Sequence, residues 1–119
     1  MKTTKEIAAR FEELAREEKW FDIQDELFAD NVKSIDPAHS PYMKNAEGKA
    51  NVRRKGEDFV SRITAAHFRS TSPMIVAENH FAVARDVDIT VEPHGRIRLN
   101  EIMLYEVKDG KIVSEQFFY

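Results

Sequence analysis

The sequence predicts an α+β protein in which helices pack on one face of a strongly curved antiparallel sheet. Three observations carry this. Apolar residues recur at helical spacing through the first half, they alternate at strand spacing through the second half, and two glycine-containing turns cut that second half into long neighbouring strands. A length of 119 residues suits one domain, 1–119, and 42% hydrophobic with 10% aromatic residues is ample for a packed interior. A curved sheet closed by helices makes a cone with an interior pocket.

In chain order, Thr3 and Glu6 have the spacing of a capping box, and Ile7, Phe11 and Leu14 then recur at i, i+4 and i+7. A second short helix is expected from about Phe21, with Ile23 and Leu27 on one face and Trp20 and Phe28 beside it. Residues 32–36 read as extended, ended by Asp36-Pro37 because proline disfavours helix in the residue before it. Residues 38–48 read as a loop. A third helix is expected over about 51–66, with Val52, Gly56, Phe59 and Ile63 on one stripe and His67 at its end. Residues 73–77 form a short apolar run. From His80 to Glu92 the odd positions Phe81, Val83, Val87, Ile89 and Val91 are apolar, with Arg85 the polar exception. Pro93-His94-Gly95 and Asp109-Gly110 read as hairpin turns around a long strand, 96–107, and a last strand, 112–119.

Composition excludes several function classes. With 18 Lys and Arg against 21 Asp and Glu, there is no basic excess for a nucleic-acid partner. A basic middle block contains Arg53, Arg54 and Lys55 in a row and reads as a solvated helix face. There are no cysteines for thiol chemistry or disulfides, no pair of histidines at metal-ligand spacing and no glycine-rich phosphate loop, so neither metal nor cofactor is expected. No apolar run approaches the roughly 18 residues of a membrane span and no signal segment is visible, so the expectation is a cytoplasmic protein without a membrane partner.

Three stretches carry a family resemblance: the Trp20-Phe21-Asp22 to Leu27-Phe28-Ala29-Asp30 segment, the strand ending in Asp36-Pro37, and the closing segment from Tyr105 through Asp109-Gly110 to Ser114. Together, in this order, they resemble the nuclear transport factor 2-like superfamily, within its SnoaL-like and ketosteroid isomerase-like branch. The resemblance implies a cone-shaped, cystatin-like fold, a homodimer through the sheet face, and an apolar pocket used by some members for catalysis and by others only for binding. In the ketosteroid isomerases an aspartate before a proline shuttles a proton, while a tyrosine and a protonated aspartic acid hold the enolate oxygen. Carried over, the base falls on Asp36. The tyrosine position falls on Phe11, which has no donor, and the oxyanion aspartate falls near Met103. Losing such donors costs on the order of 3 kcal/mol each, so steroid isomerisation by that mechanism is not expected.

Following the family's strand parity, Glu101, Met103, Tyr105 and Val107 point inward, as do Val113, Glu115, Phe117 and Tyr119 on the last strand and Arg85, Val87 and Ile89 on the middle one. Carboxylates crowded in a dry pocket cannot all stay ionised, so one should serve as a proton shuttle. The candidate catalytic residues are Asp36, Glu101 and Glu115. The candidate ligand contacts are Phe11, Trp20, Phe28, Phe59, Ile63, Arg85, Met103, Tyr105, Phe117 and Tyr119. The ligand expected is a small hydrophobic molecule with a carbonyl group, and the chemistry is cofactor-free isomerisation, cyclisation, dehydration or hydrolysis. The alternative is a non-catalytic binding or dimerisation module. In that reading Arg85 neutralises Glu101 or Glu115 as a structural ion pair, Asp36 is a turn former, and the lipophilic residues are ordinary core.

Overall fold

The computed structural model describes all 119 residues. Helix α1, Thr4–Arg16, starts with the expected capping box: the Thr3 hydroxyl accepts from the Glu6 N–H and the Glu6 carboxylate accepts from the Thr3 N–H. Its apolar face buries Ile7, Ala8, Phe11, Leu14 and Ala15. Helix α2, Trp20–Leu27, follows after a short turn and runs directly into strand β1, Phe28–Ile35. Phe28 therefore opens a strand instead of continuing the helix.

Within the segment expected to be loop, a two-residue strand β2, Ala46–Glu47, pairs with β1. Helix α3 spans Lys49–Ser61 and stops short of the expected end, because Ile63–Thr71 is strand β3, paired antiparallel with β5. The apolar spacing of Phe59 and Ile63 fits helix and strand alike, and tertiary pairing with β5 decides between them. His67 thus lies on β3, where its Nε2 pairs with the Thr90 hydroxyl at 2.9 Å, and not at a helix end. Strand β4 is Ile75–Val76, β5 is His80–Val91, β6 is Gly95–Lys108 and β7 is Lys111–Phe118. Asp109 and Gly110 both take positive φ, 51° and 74°, as the tight β6–β7 turn requires.

The seven strands form one open sheet in the order β2-β1-β7-β6-β5-β3, with β4 pairing β5 at the side. The sheet is mixed: β1 runs parallel to β7, and every other pair is antiparallel. The fold is α+β, a cone of three helices against one sheet face.

Strand parity is as expected on β5 and β6, where Phe81, Val83, Val87, Ile89, Leu99, Met103, Tyr105 and Val107 are buried. It shifts at the start of β7. Opposite Glu106 and Val107 the pairing skips Val113, so Ile112 becomes the fully buried residue and Val113 does not. One extra residue in a strand restores parity beyond it, which keeps Glu115 and Phe117 inward. The main core gathers α1, α2 and the nearer half of the sheet around three aromatic rings. Phe11, Phe81 and Tyr105 lie 4.7–5.2 Å apart between centroids. No helix is long and apolar enough to cross a membrane.

Candidate active site

Between the helices and the inner face of the sheet lies a cavity of about 670 Å³, lined mostly by apolar side chains. Helix packing closes its sides: a Cβ on Gly56 of α3 would come within 3.1 Å of the Phe21 ring of α2. Of the expected ligand contacts, Phe11, Trp20, Phe28, Phe59, Ile63, Arg85, Met103, Tyr105 and Phe117 all line this cavity, as do Glu101 and Glu115. Asp36 and Tyr119 do not. They stand behind Lys55, which forms part of the wall.

Register explains how the polar groups come together. Across the inner face, Phe81, Tyr105 and Glu115 make one row, and Val83, Met103 and Phe117 the next. Arg85 then stands opposite Glu101. Parallel pairing of β1 with β7 sets Ser34 beside Glu115. This last juxtaposition depends on a crossover connection that no local pattern in the chain encodes.

Arg85 does not pair with either expected carboxylate. Its guanidinium forms two hydrogen bonds to Glu18, at 2.7 and 3.2 Å, donates to the Thr71 hydroxyl at 2.8 Å and stacks over Trp20. Glu18 follows α1 with a φ of 58°, a left-handed turn that brings its carboxylate back over the sheet. The Arg85 guanidinium is thereby occupied, and Glu101 is left with no hydrogen bond or ion pair. Burial pushes the Glu101 carboxyl up to about 7 against the partial opposition of the Arg85 charge.

Glu115 is buried and accepts a hydrogen bond from the Ser34 hydroxyl at 3.1 Å. Its carboxyl is also pushed up to about 7, chiefly by burial, with nearby Lys55 and the Ser34 bond acting against it. Burial likewise raises the Tyr105 phenol well above its usual value, and the Tyr119 phenol in the same direction. Two carboxyls poised near neutrality in an apolar cavity can each give or take a proton at physiological pH.

Asp36, the base implied by the resemblance, has both oxygens engaged. Lys55 Nζ makes a short ion pair with Oδ2, and the Tyr119 hydroxyl donates to Oδ1 at 2.8 Å. Lys55 also donates to the Ser34 hydroxyl at 2.7 Å, linking the Asp36 pair to Glu115. Lys55, Ser34 and Glu18 are the functional groups that sequence reasoning missed. The signal for Lys55 was available: it lies three residues after Val52 and four before Phe59, on the apolar stripe of α3 and not opposite it. Ser34 shares the parity of Val32 on β1. Glu18 gave no such signal, because its placement depends on the turn.

No three His, Cys, Asp or Glu side chains converge to hold a metal ion.

Comparison with known proteins agrees with this architecture. A family model described as a SnoaL-like domain matches residues 2–119. A Mesorhizobium loti protein with the provisional names SnoaL-like polyketide cyclase and carbohydrate phosphatase is 30% identical, with a TM-score of 0.91 over 99% of this chain and 100% of that one. Two more distant structures show the fold alone. A nuclear transport factor 2-like protein of Burkholderia thailandensis is 14% identical, with a TM-score of 0.81 over 99% of this chain and 91% of the other. A Catenulispora acidiphila protein with a ketosteroid isomerase-like fold, solved with trimethylamine, is 15% identical, with a TM-score of 0.66 over 82% and 72%. A search of curated proteins finds no match. On the strength of a family match that runs through the helices, the sheet and every residue of the cavity wall, the chain belongs to the SnoaL-like domain family.

Proposed function

We propose that the protein binds a small, largely apolar carbonyl compound in the cavity and moves a proton on it without a cofactor, with Glu101 as the proton-transferring group. The observation that carries this reading is the Glu101 carboxyl itself, which lines the cavity, has no partner and titrates near 7. A carboxyl that no protein group uses, lifted by burial toward neutrality, suits acid and base steps alike. Glu115 is the second titrating group. Asp36 serves in this reading to hold Lys55, since both its oxygens are taken.

The reaction class stays isomerisation, cyclisation, dehydration or hydrolysis at or next to a carbonyl. The test is native mass spectrometry of the purified protein with extraction of bound small molecules, followed by turnover of whatever is recovered. A molecule that fits the cavity should be found, and Glu101→Gln should slow its turnover by about 100-fold or more, the usual contribution of a general acid or base. Turnover unaffected by Glu101→Gln refutes the assignment. A ligand recovered without turnover identifies a binding module instead.

A further inference from the structure

Resting on that reading of the cavity, we propose that Lys55 recognises the ligand, and that what it recognises is a neutral carbonyl oxygen, a ketone or aldehyde, on an otherwise apolar molecule. An ammonium group has three N–H donors. Two are spent on the Ser34 hydroxyl and the Asp36 carboxylate. The third has no protein acceptor, and the face of the Phe117 ring, 5.5 Å from Nζ to its centroid, flanks the same space. With its side chain only 11% exposed, Lys55 has little bulk water around it; it lines the main cavity and, on its other side, a smaller cleft with Ser40, Tyr42 and Asp58. A buried donor left unpaired is costly, and a ligand acceptor removes that cost.

The ammonium is also held in place. Asp36 is fixed from the far side by Tyr119, whose hydroxyl oxygen lies 2.5 Å from Ser40 Oγ. Ser40 Oγ in turn accepts from the backbone N–H groups of Tyr42 and Met43. A donor anchored on two sides gives up little freedom when a ligand arrives.

Charge decides which acceptor fits. Lys55 is offset by Asp36 and Arg85 by Glu18, so neither deep cation of the wall is left unopposed. Lys19 and Arg69, the other cations lining the cavity, are half exposed at its rim beside Glu17 and Glu18. A ligand carboxylate would enter without a free counter-charge and would face Glu101 and Glu115. A neutral carbonyl takes the free N–H and needs no counter-ion.

The test compares three probes of similar size: benzophenone, diphenylmethane, which has a methylene in place of the carbonyl, and diphenylacetate. Affinities are read by calorimetry, and the carbonyl stretch of bound benzophenone by infrared difference spectroscopy. In the wild-type protein, benzophenone should bind roughly tenfold tighter than diphenylmethane, the margin of one charge-assisted hydrogen bond, and diphenylacetate should bind weakest. The paired variant K55M/D36N removes both charges together, so that no buried carboxylate is stranded. It should lose the preference for the ketone over diphenylmethane and return the carbonyl stretch to a higher frequency. Equal wild-type affinity for ketone and hydrocarbon, or a carbonyl frequency unshifted from apolar solvent, overturns the role of Lys55 while leaving the cavity reading intact. Both comparisons need only the wild-type protein, should the variant fail to fold. Absence of binding by any of the three probes overturns the cavity reading itself, and this inference with it.

Discussion

Replacing Glu101 by glutamine should change the pH dependence of folding more than its magnitude at any one pH. Glu101 on β6 pairs with Arg85 on β5, near enough to Asp36 and Glu115 for their charges to act on one another, and burial lifts its carboxyl from 4.5 to about 7. Because the folded value is raised, the folded chain binds an extra proton between these limits. The contribution to stability is therefore fully present below 4.5 and is lost as pH climbs through about 7. Each tenfold change in proton affinity is worth about 1.4 kcal/mol, so the full cost of ionising Glu101 in the folded state is roughly 3 kcal/mol. Part of it is already lost by pH 5, which leaves about 2–3 kcal/mol to appear between pH 5 and pH 8. Glutamine has the same shape and never ionises.

The assay is urea unfolding of wild type and Glu101→Gln at pH 5, 6.5 and 8. The variant should gain about 2–3 kcal/mol on the wild type across that range, a shift in midpoint of the order of 1 M urea for a chain this size. Glu115 contributes a slope of the same sign to both proteins, smaller in the variant because the Glu101 charge that helps to raise it is gone, which adds to the expected gain. A difference between the two proteins that stays constant from pH 5 to pH 8 would show that Glu101 titrates as an ordinary surface carboxylate, and the reasoning about the cavity would fail with it.

Other outcomes test other parts of the structure. Lys55→Met alone strands the buried Asp36 charge and should cost about 3–5 kcal/mol, whereas K55M/D36N should cost much less; additive single-variant losses in chemical unfolding would argue against a coupled pair. Phe11→Ala empties the centre of the Phe11, Phe81 and Tyr105 cluster and should cost about 3–5 kcal/mol in the same measurement. Thr3→Ala removes the α1 capping box and should cost about 1 kcal/mol, with hydrogen exchange rising in the first turn of α1 only. The dimer implied by the family resemblance would use the outer sheet face, where Ile102 and Phe118 are cross-strand neighbours and about half exposed. Light scattering at micromolar concentration should then give twice the 13.8 kDa chain mass, and a monomer would rule that interface out.

Much of the architecture is legible in the chain because its signals are local. The capping box, the odd-numbered apolar row of β5 and the Asp109-Gly110 turn each act over a few residues, and each stands in the structure where its pattern puts it. From the parity of β5 and β6 follows most of the cavity wall, including Glu101, Met103 and Tyr105. Errors arise where two readings of a short apolar run compete. Ile63 to Ala66 continues the periodicity of α3 and yet pairs with β5, and the bulge that turns Ile112 inward is invisible without its partner strand.

The sequence alone thus determines most of the element order, β2 and β3 excepted, the inward rows of β5 and β6, and a cavity wall that contains unusual carboxyls. What it leaves open is which charges cancel. Arg85 had two expected carboxylate partners, Glu101 and Glu115, and found a third, Glu18, because a left-handed turn after α1 folds that residue back over the sheet. Asp36 met Lys55 because α3 packs its apolar stripe, lysine included, against β1. Ion pairing between residues 19 or 67 positions apart is decided by where whole elements dock. That docking is set by summed apolar burial over the whole core, to which no single charge contributes a readable local pattern. Tertiary structure therefore decides that Asp36 is spoken for and Glu101 is free.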